Sequence, residues 1–360
     1  MPPTFLRIYR PTTGTYCFFY LVIVFLLNNS TSLPTYAQNG GQSTYQFLSL
    51  SPTARTTAIG GSGIGLSDND AGLALQNPAL YKPAMHHQLT VNSVAYLGGI
   101  NYGNVGYVYH IDSIGTFGAA IQYINYGNFD ETDPTGQVIG SFSGGEYALL
   151  LGGSRQWGRR NQWAGGTHLK IINSNLAGYT SWGLAGTFAI TYTDTAKLFS
   201  ASLVAANIGT QLSSYNGTRE KLPFDLQLGM SLRLKHLPFR FLITAHHLHR
   251  WNIRYNDPAA QTVNLLDPEA SSNNNPFFDI LFRHFIFGGE LYLGKALSLR
   301  VGYDHLRHQE LKLENKRSMT GISFGIGLRL KRIQINYGFG SYHAAGAAHH
   351  FGLNVNLGKS

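Results

Sequence analysis

From Gln88 onward the chain alternates apolar and polar residues with a period of two, over runs of about ten to sixteen positions. Phe224, Leu226, Leu228, Met230, Leu232 and Leu234 fall on one face, and Asp225, Gln227, Gly229, Ser231, Arg233 and Lys235 on the other. Ile322 to Leu330 and Ile333 to Phe339 repeat the pattern. Successive side chains of a strand point to opposite faces, so each run predicts a strand with one greasy and one polar side. Fourteen such segments follow: 88–97, 102–112, 115–125, 143–157, 161–174, 177–192, 196–209, 223–235, 238–250, 284–295, 297–309, 317–330, 332–341 and 347–357. The even-numbered connections are tight, as at Asp112-Ser113, Asp194-Thr195 and Lys331, whereas 126–142, 210–222 and 251–283 read as long loops. An even strand count with short turns at one end and long loops at the other is the signature of an all-β, fourteen-stranded antiparallel transmembrane β-barrel, residues 88–360.

Composition narrows the class. Only 12% of the 360 residues are Asp, Glu, Lys or Arg, about half the usual share, while Gly, Tyr and Phe number 42, 21 and 21. Such a chain has too little charge to cover a soluble globule, and no apolar run long enough for a membrane helix. The net charge of +9 is spread out, with no basic run longer than two residues, so nucleic acid is not an expected partner. Outer-membrane lipid is.

Residues 1–37 read as a cleavable signal peptide. Arg7 and Arg10 precede a twelve-residue apolar stretch, Tyr16 to Leu27, and Thr35-Tyr36-Ala37 supplies small residues for cleavage after Ala37. At about 18 Å as a helix, the stretch is too short to span a bilayer. Cys17, the only cysteine, lies within it, so the exported chain has neither disulfide nor thiol chemistry. Without the leader the charge is 25 − 18 = +7.

Residues 38–87 do not alternate. Asp70 is placed to cap a short helix, Ala71 to Gln76, that Pro78 ends. The segment is too short for a core of its own and is expected to plug the barrel lumen as a hatch. Its residues carry a resemblance. Tyr45-Gln46-Phe47-Leu48, Ala54-Arg55, Ala58-Ile59-Gly60-Gly61, Ser67-Asp68-Asn69-Asp70 and Gln76-Asn77-Pro78-Ala79-Leu80 resemble the hatch of FadL-like outer-membrane proteins, and within them the PorV/PorQ family of the Bacteroidetes type IX secretion system. The likeness covers about 40 residues. His350 to Leu357 also resembles the C-terminal signal read by the barrel-insertion machinery.

The resemblance implies a non-enzymatic barrel in the cell outer membrane, without cofactor. It implies a role in the surface attachment complex that fixes secreted cargo to anionic lipopolysaccharide, with the surface protein PorZ, the sortase PorU and the shuttle barrel PorV as partners. It marks Arg55, Gly60, Gly61, Asp68, Asp70, Asn77, Pro78 and Ala79 as hatch-motif residues. Physically, the glycines permit sharp turns and close packing, and Asn77 can bond backbone groups. Arg55, Asp68 and Asp70 are expected to pair with lumen charges such as Arg233, Arg240, Arg300 and Asp304. The alternative is a transporter of hydrophobic small molecules.

Other motifs lack context. Gly321-Ile322-Ser323-Phe324-Gly325 matches a nucleophile elbow but sits mid-strand. Gly61 to Gly65 lacks the preceding unit of a nucleotide loop, and Asp68-Asn69-Asp70 lacks the later ligands of a calcium loop. His247 and His249 would share a strand face, yet no carboxylate stands at useful spacing, so no metal site is assigned. Tyr96, Tyr102, Trp157, Trp163, Trp182, Tyr192, Trp251, Tyr303 and Tyr337 read as interfacial girdles. For a partner outside, the apolar end of the longest loop is the candidate: Pro276, Phe277, Phe278, Ile280, Leu281 and Phe282. Segments 126–142 and 307–317, with Lys312, Lys316 and Arg317, are weaker ones.

Overall fold

A computed structural model describes residues 43–254, 276–311, 319–343 and 346–358. The expected leader, residues 1–37, lies outside them, as do Lys312, Lys316, Arg317 and the middle of the longest loop. Fourteen antiparallel strands close into a ring: β1 (Gln88–Ala95), β2 (Asn101–Ile111), β3 (Gly115–Thr132), β4 (Val138–Trp157), β5 (Trp163–Leu176), β6 (Tyr179–Asp194), β7 (Phe199–Ser213), β8 (Asp225–Arg233), β9 (Phe239–Ala245), β10 (Phe285–Leu293), β11 (Leu297–Asp304), β12 (Ile322–Arg329), β13 (Ile333–His343) and β14 (Gly346–Asn356). Each pairs with its sequence neighbours, and β1 closes on β14 from Gln88↔Asn356 to Ala95↔His349.

The wall is inside-out relative to a soluble protein. Met230, Leu232, Phe324, Ile326, Ile333, Ile335, Phe351 and Leu353 stand exposed on the outer surface, while Ser231, Ser323, Asn336 and His350 are buried within. Closure is the reason a membrane tolerates this arrangement, because each of the fourteen strands pairs with a neighbour on both sides. The turns 112–114, 158–162, 195–198, 234–238, 294–296 and 330–332 are all short and lie at one end.

Several boundaries differ from the sequence expectation. Segment 126–142 is not a long loop. β3 and β4 continue as a hairpin in which Phe129 stacks on Phe142 at 5.4 Å, and Asp133 Oδ1 closes the turn by accepting from the Thr135 and Gln137 amides, both at 2.9 Å. Both faces of the hairpin tip meet solvent, so the alternation that identifies strands elsewhere fades there. Pro276–Arg283, the expected apolar end of the longest loop, is a helix. β11 stops at Asp304, and His305–Leu311 forms another helix. Two residues of the expected girdle face inward. Tyr102 is fully buried and its hydroxyl accepts from Gln122 Nε2 at 2.6 Å, while Tyr96 packs against the same inner cluster. The inward positions of β2 include Tyr102, Asn104, Gly106 and Val108, so Tyr102 has the parity of the lumen.

Candidate functional site

The N-terminal segment fills the ring. Helix α1 (Ala54–Ala58) begins at a reciprocal cap: Thr56 N donates to Thr53 Oγ1 at 3.1 Å, and Thr53 N donates to Thr56 Oγ1 at 3.2 Å. Helix α2 (Ala71–Ala74) starts at Asp70, whose Oδ1 accepts from Gly72 N at 3.1 Å. Pro78 then opens a 3₁₀ turn, Pro78–Leu80, preceded by Asn77. Asn77 is fully buried. Its Oδ1 accepts from Ala79 N at 3.0 Å, and its Nδ2 donates to Ile64 O at 2.8 Å. Replacing it by alanine removes a cap and orphans a buried carbonyl. Asn77→Ala is expected to lower stability by about 1–3 kcal/mol, read from the midpoint of denaturant unfolding in detergent.

The segment touches the wall through glycine. Ala54 meets Gly338 of β13 and Gly352 of β14, Ala58 meets Gly325 of β12, and Gly60 meets Gly302 of β11. These four neighbouring strands each present a glycine beneath α1, so its backbone lies against theirs. On the far side, Pro78 meets Gly166, and Ile64 and Gly65 meet Gly229. Gly60 and Gly61 have φ of 99° and 105°, where a side chain is strained. Ser323, the centre of the apparent nucleophile elbow, is buried in β12 and accepts from Gly60 N at 3.0 Å, so it secures the plug.

Charge closes the lock. Arg55, 2% exposed, projects from α1 into an acidic cradle. Its Nε and Nη2 donate to Oε1 and Oε2 of Glu290, each at 2.8 Å, and its Nη1 donates to Asp70 Oδ2 at 3.1 Å. Nη2 also reaches Asp68. From the wall, Arg240 grips Asp68 through two bonds at 2.8 and 3.0 Å, and Arg300 Nε donates to Glu290 Oε1 at 3.0 Å. Asn354 Nδ2 donates to Asp70 Oδ1 at 2.7 Å, and the Tyr292 hydroxyl to Glu290 at 2.6 Å. Three guanidiniums thus meet three carboxylates in a network spanning the plug and strands β9, β10 and β11. Burial raises the Asp68 carboxyl, but Arg55 and Arg240 together outweigh it and hold it well below the usual carboxylate range.

Of the expected lumen partners, Arg240 and Arg300 take part and two do not. Arg233 lies over the Tyr292 ring at 4.8 Å, and Asp304 pairs with Arg307 at 3.5 Å. Glu290, the hub, was absent from the expectation. Its signal was present: an acid on the inward face of a strand, between Gly288 and Tyr292.

A second feature lies at the long-loop end. Helix α3 (Pro276–Arg283) leaves Phe277, Phe278 and Phe282 exposed, with Ile280 and Leu281 half-buried. Phe277 packs on Trp251 at 5.5 Å and on Phe278 at 5.7 Å. Asp279 anchors the helix through Arg283 at 3.0 Å and Arg254 at 3.3 Å. Helix α4 (His305–Leu311) lies beside it, with His305 6.0 Å from Phe282.

A closed antiparallel ring with an apolar exterior and a polar, plugged interior is an outer-membrane β-barrel. No protein-family model matches the chain, and no curated protein does. Among solved structures it is similar to the Pseudomonas putida toluene transporter TodX, with TM-score 0.48, 12% identity and coverage of 85% of this chain and 96% of that one. The Ralstonia pickettii toluene transporter TbuX gives 0.46, 11%, 85% and 97%. A Pseudomonas aeruginosa FadL homologue gives 0.46, 11%, 85% and 98%.

Proposed function

We propose that this barrel is a membrane-embedded anchor rather than a conduit. It would hold the cell-surface attachment complex of the type IX secretion system, in the role of a PorQ-type protein. The observation that carries this reading is the plug: residues 43–87 are fastened to the wall by backbone-to-glycine contact and by a buried network of six charges. A segment so held suits a rigid platform. The motif likeness of residues 45–80 to the PorV/PorQ family supports the same role, and implies PorZ outside with PorU and PorV in the complex.

On this reading the partner docks on the aromatic face of α3, where Phe277 and Phe278 are 52% and 56% exposed beside Trp251. Exposed aromatic clusters on a polar rim are typical interaction sites. Triple substitution Phe277→Ser/Phe278→Ser/Phe282→Ser should cut recovery of the surface partner at least ~10-fold on gentle detergent purification, as loss of two or more anchors implies. Undiminished recovery removes α3 from the interface. Transport of hydrophobic small molecules, the alternative, needs an opening in the wall. Every strand pairs with both neighbours, and a groove of about 810 Å³ lies on the outer surface, among Tyr107, Tyr109, Phe117 and Leu151.

A further inference from the structure

At the long-loop end of β8 and β9 three potential metal ligands converge. Asp225 opens β8, and His246 and His247 follow the last residue of β9, Ala245. In a continuing strand, adjacent histidines would point to opposite faces. Here the chain leaves the strand: His247 has φ of 55°, a left-handed conformation that side chains rarely adopt. That turn swings both imidazoles to one side, so that Nδ1 of His246 lies 2.5 Å from Nδ1 of His247. One ligand atom from each histidine and a carboxylate oxygen of Asp225 all lie within 4.8 Å of one another.

The surroundings are those of a built site. Asp225 Oδ1 accepts from His247 N at 2.6 Å and Oδ2 from Gln227 Nε2 at 2.7 Å, which orient the carboxylate. His284 Nδ1 donates to His246 O at 2.7 Å, and His246 N donates to His284 O at 2.9 Å, fixing the backbone that carries the first imidazole. These bonds hold the carboxylate and the backbone on either side of the first imidazole in place before any ion arrives. His246 is buried, 6% exposed, and its Nε2 has no hydrogen-bond partner among the described residues.

We propose that Asp225, His246 and His247 bind a divalent transition-metal ion of the zinc class at the outer rim of the barrel. Two imidazoles and a carboxylate match the preferences of such ions, and three protein ligands leave the fourth tetrahedral position to water or an external group. Tetrahedral ligation would set the nitrogens ~3.3 Å apart, a small rotation from their present positions. The sequence expectation paired His247 with His249 on a strand face and found no carboxylate. The turn pairs His247 with His246 instead, and the carboxylate comes from the neighbouring strand.

The test uses the full exported chain in detergent, free of any histidine tag and stripped with EDTA. Calorimetric titration with ZnCl₂ should show one site per chain, and Co²⁺ should give the visible absorption of a tetrahedral site. His246→Ala/His247→Ala should weaken binding at least ~100-fold, with heat-modifiable gel migration confirming a folded barrel. His86→Ala/His87→Ala removes another adjacent pair, with rings 3.8 Å apart at the short-turn end, and should bind as wild type. Wild-type protein that takes up no zinc, or a His246/His247 variant that binds as well as wild type, overturns the proposal.

Discussion

Glu290→Gln is expected to cost about 3–5 kcal/mol of stability, the usual penalty for removing one member of a buried ionic network. Glu290 is fully buried and accepts from Arg55, Arg240, Arg300 and Tyr292. The substitution leaves three guanidiniums facing two carboxylates, in a space where unpaired charge is poorly solvated. Denaturant unfolding followed by tryptophan fluorescence measures the loss. The double variant Glu290→Gln/Arg300→Met should recover part of it, since it removes the excess charge along with its partner. A single variant as stable as wild type would mean that the network carries no energy. Acid should reach the network late. Asp68 has a folded pKa below its unfolded value of about 3.9, so its contribution is complete above that value. It is lost progressively as pH falls from there through the depressed folded value. From pH 8 down to about 4, the Asp68 contribution should therefore stay flat.

Gly302→Val should release the plug. A side chain at Gly302 would overlap the backbone of Ile59 and Gly60, and backbone cannot rotate away as a flexible side chain could. Overpacking commonly costs 1–3 kcal/mol, and the cost here should stand at or above about 3. The sharper readout is location. Limited proteolysis of the detergent-folded variant should cut within residues 43–87 while the strands stay protected, because barrel hydrogen bonding does not depend on the plug. Gly338→Val, which would strike Ala54 from β13, two strands along the ring, should give the same cleavage. Val substituted at Gly136, in the exposed hairpin turn with nothing within 4 Å, should leave the plug protected.

What could be read from the chain alone follows from periodicity. Every one of the fourteen strands was visible, because a wall between lipid and a polar lumen imposes strict alternation on each of them. The pattern fails where that two-sided environment ends. The tips of β3 and β4 are solvated on both faces and so resembled loop. Phe277 to Phe282 is apolar without period two, and folded as helix α3. Tyr102 has the residue type of a girdle but the parity of the lumen.

The functional geometry was legible only in part. Arg55, Asp68 and Asp70 could be singled out because charge is scarce in this chain, and their need for lumen partners follows from the cost of burying them. Which partners they meet could not be read, since Arg55 and Glu290 are 235 residues apart. The same holds for Asp225 with His246 and His247, joined by β8–β9 register and by one left-handed turn. A plugged fourteen-stranded membrane barrel is legible along the chain, because alternation, turn length and scarcity of charge are local quantities. That Glu290 is the hub, that wall glycines lie beneath α1 and that α3 presents an aromatic face emerge only in the closed fold. Those depend on the angular position of each strand around the ring, which only closure sets.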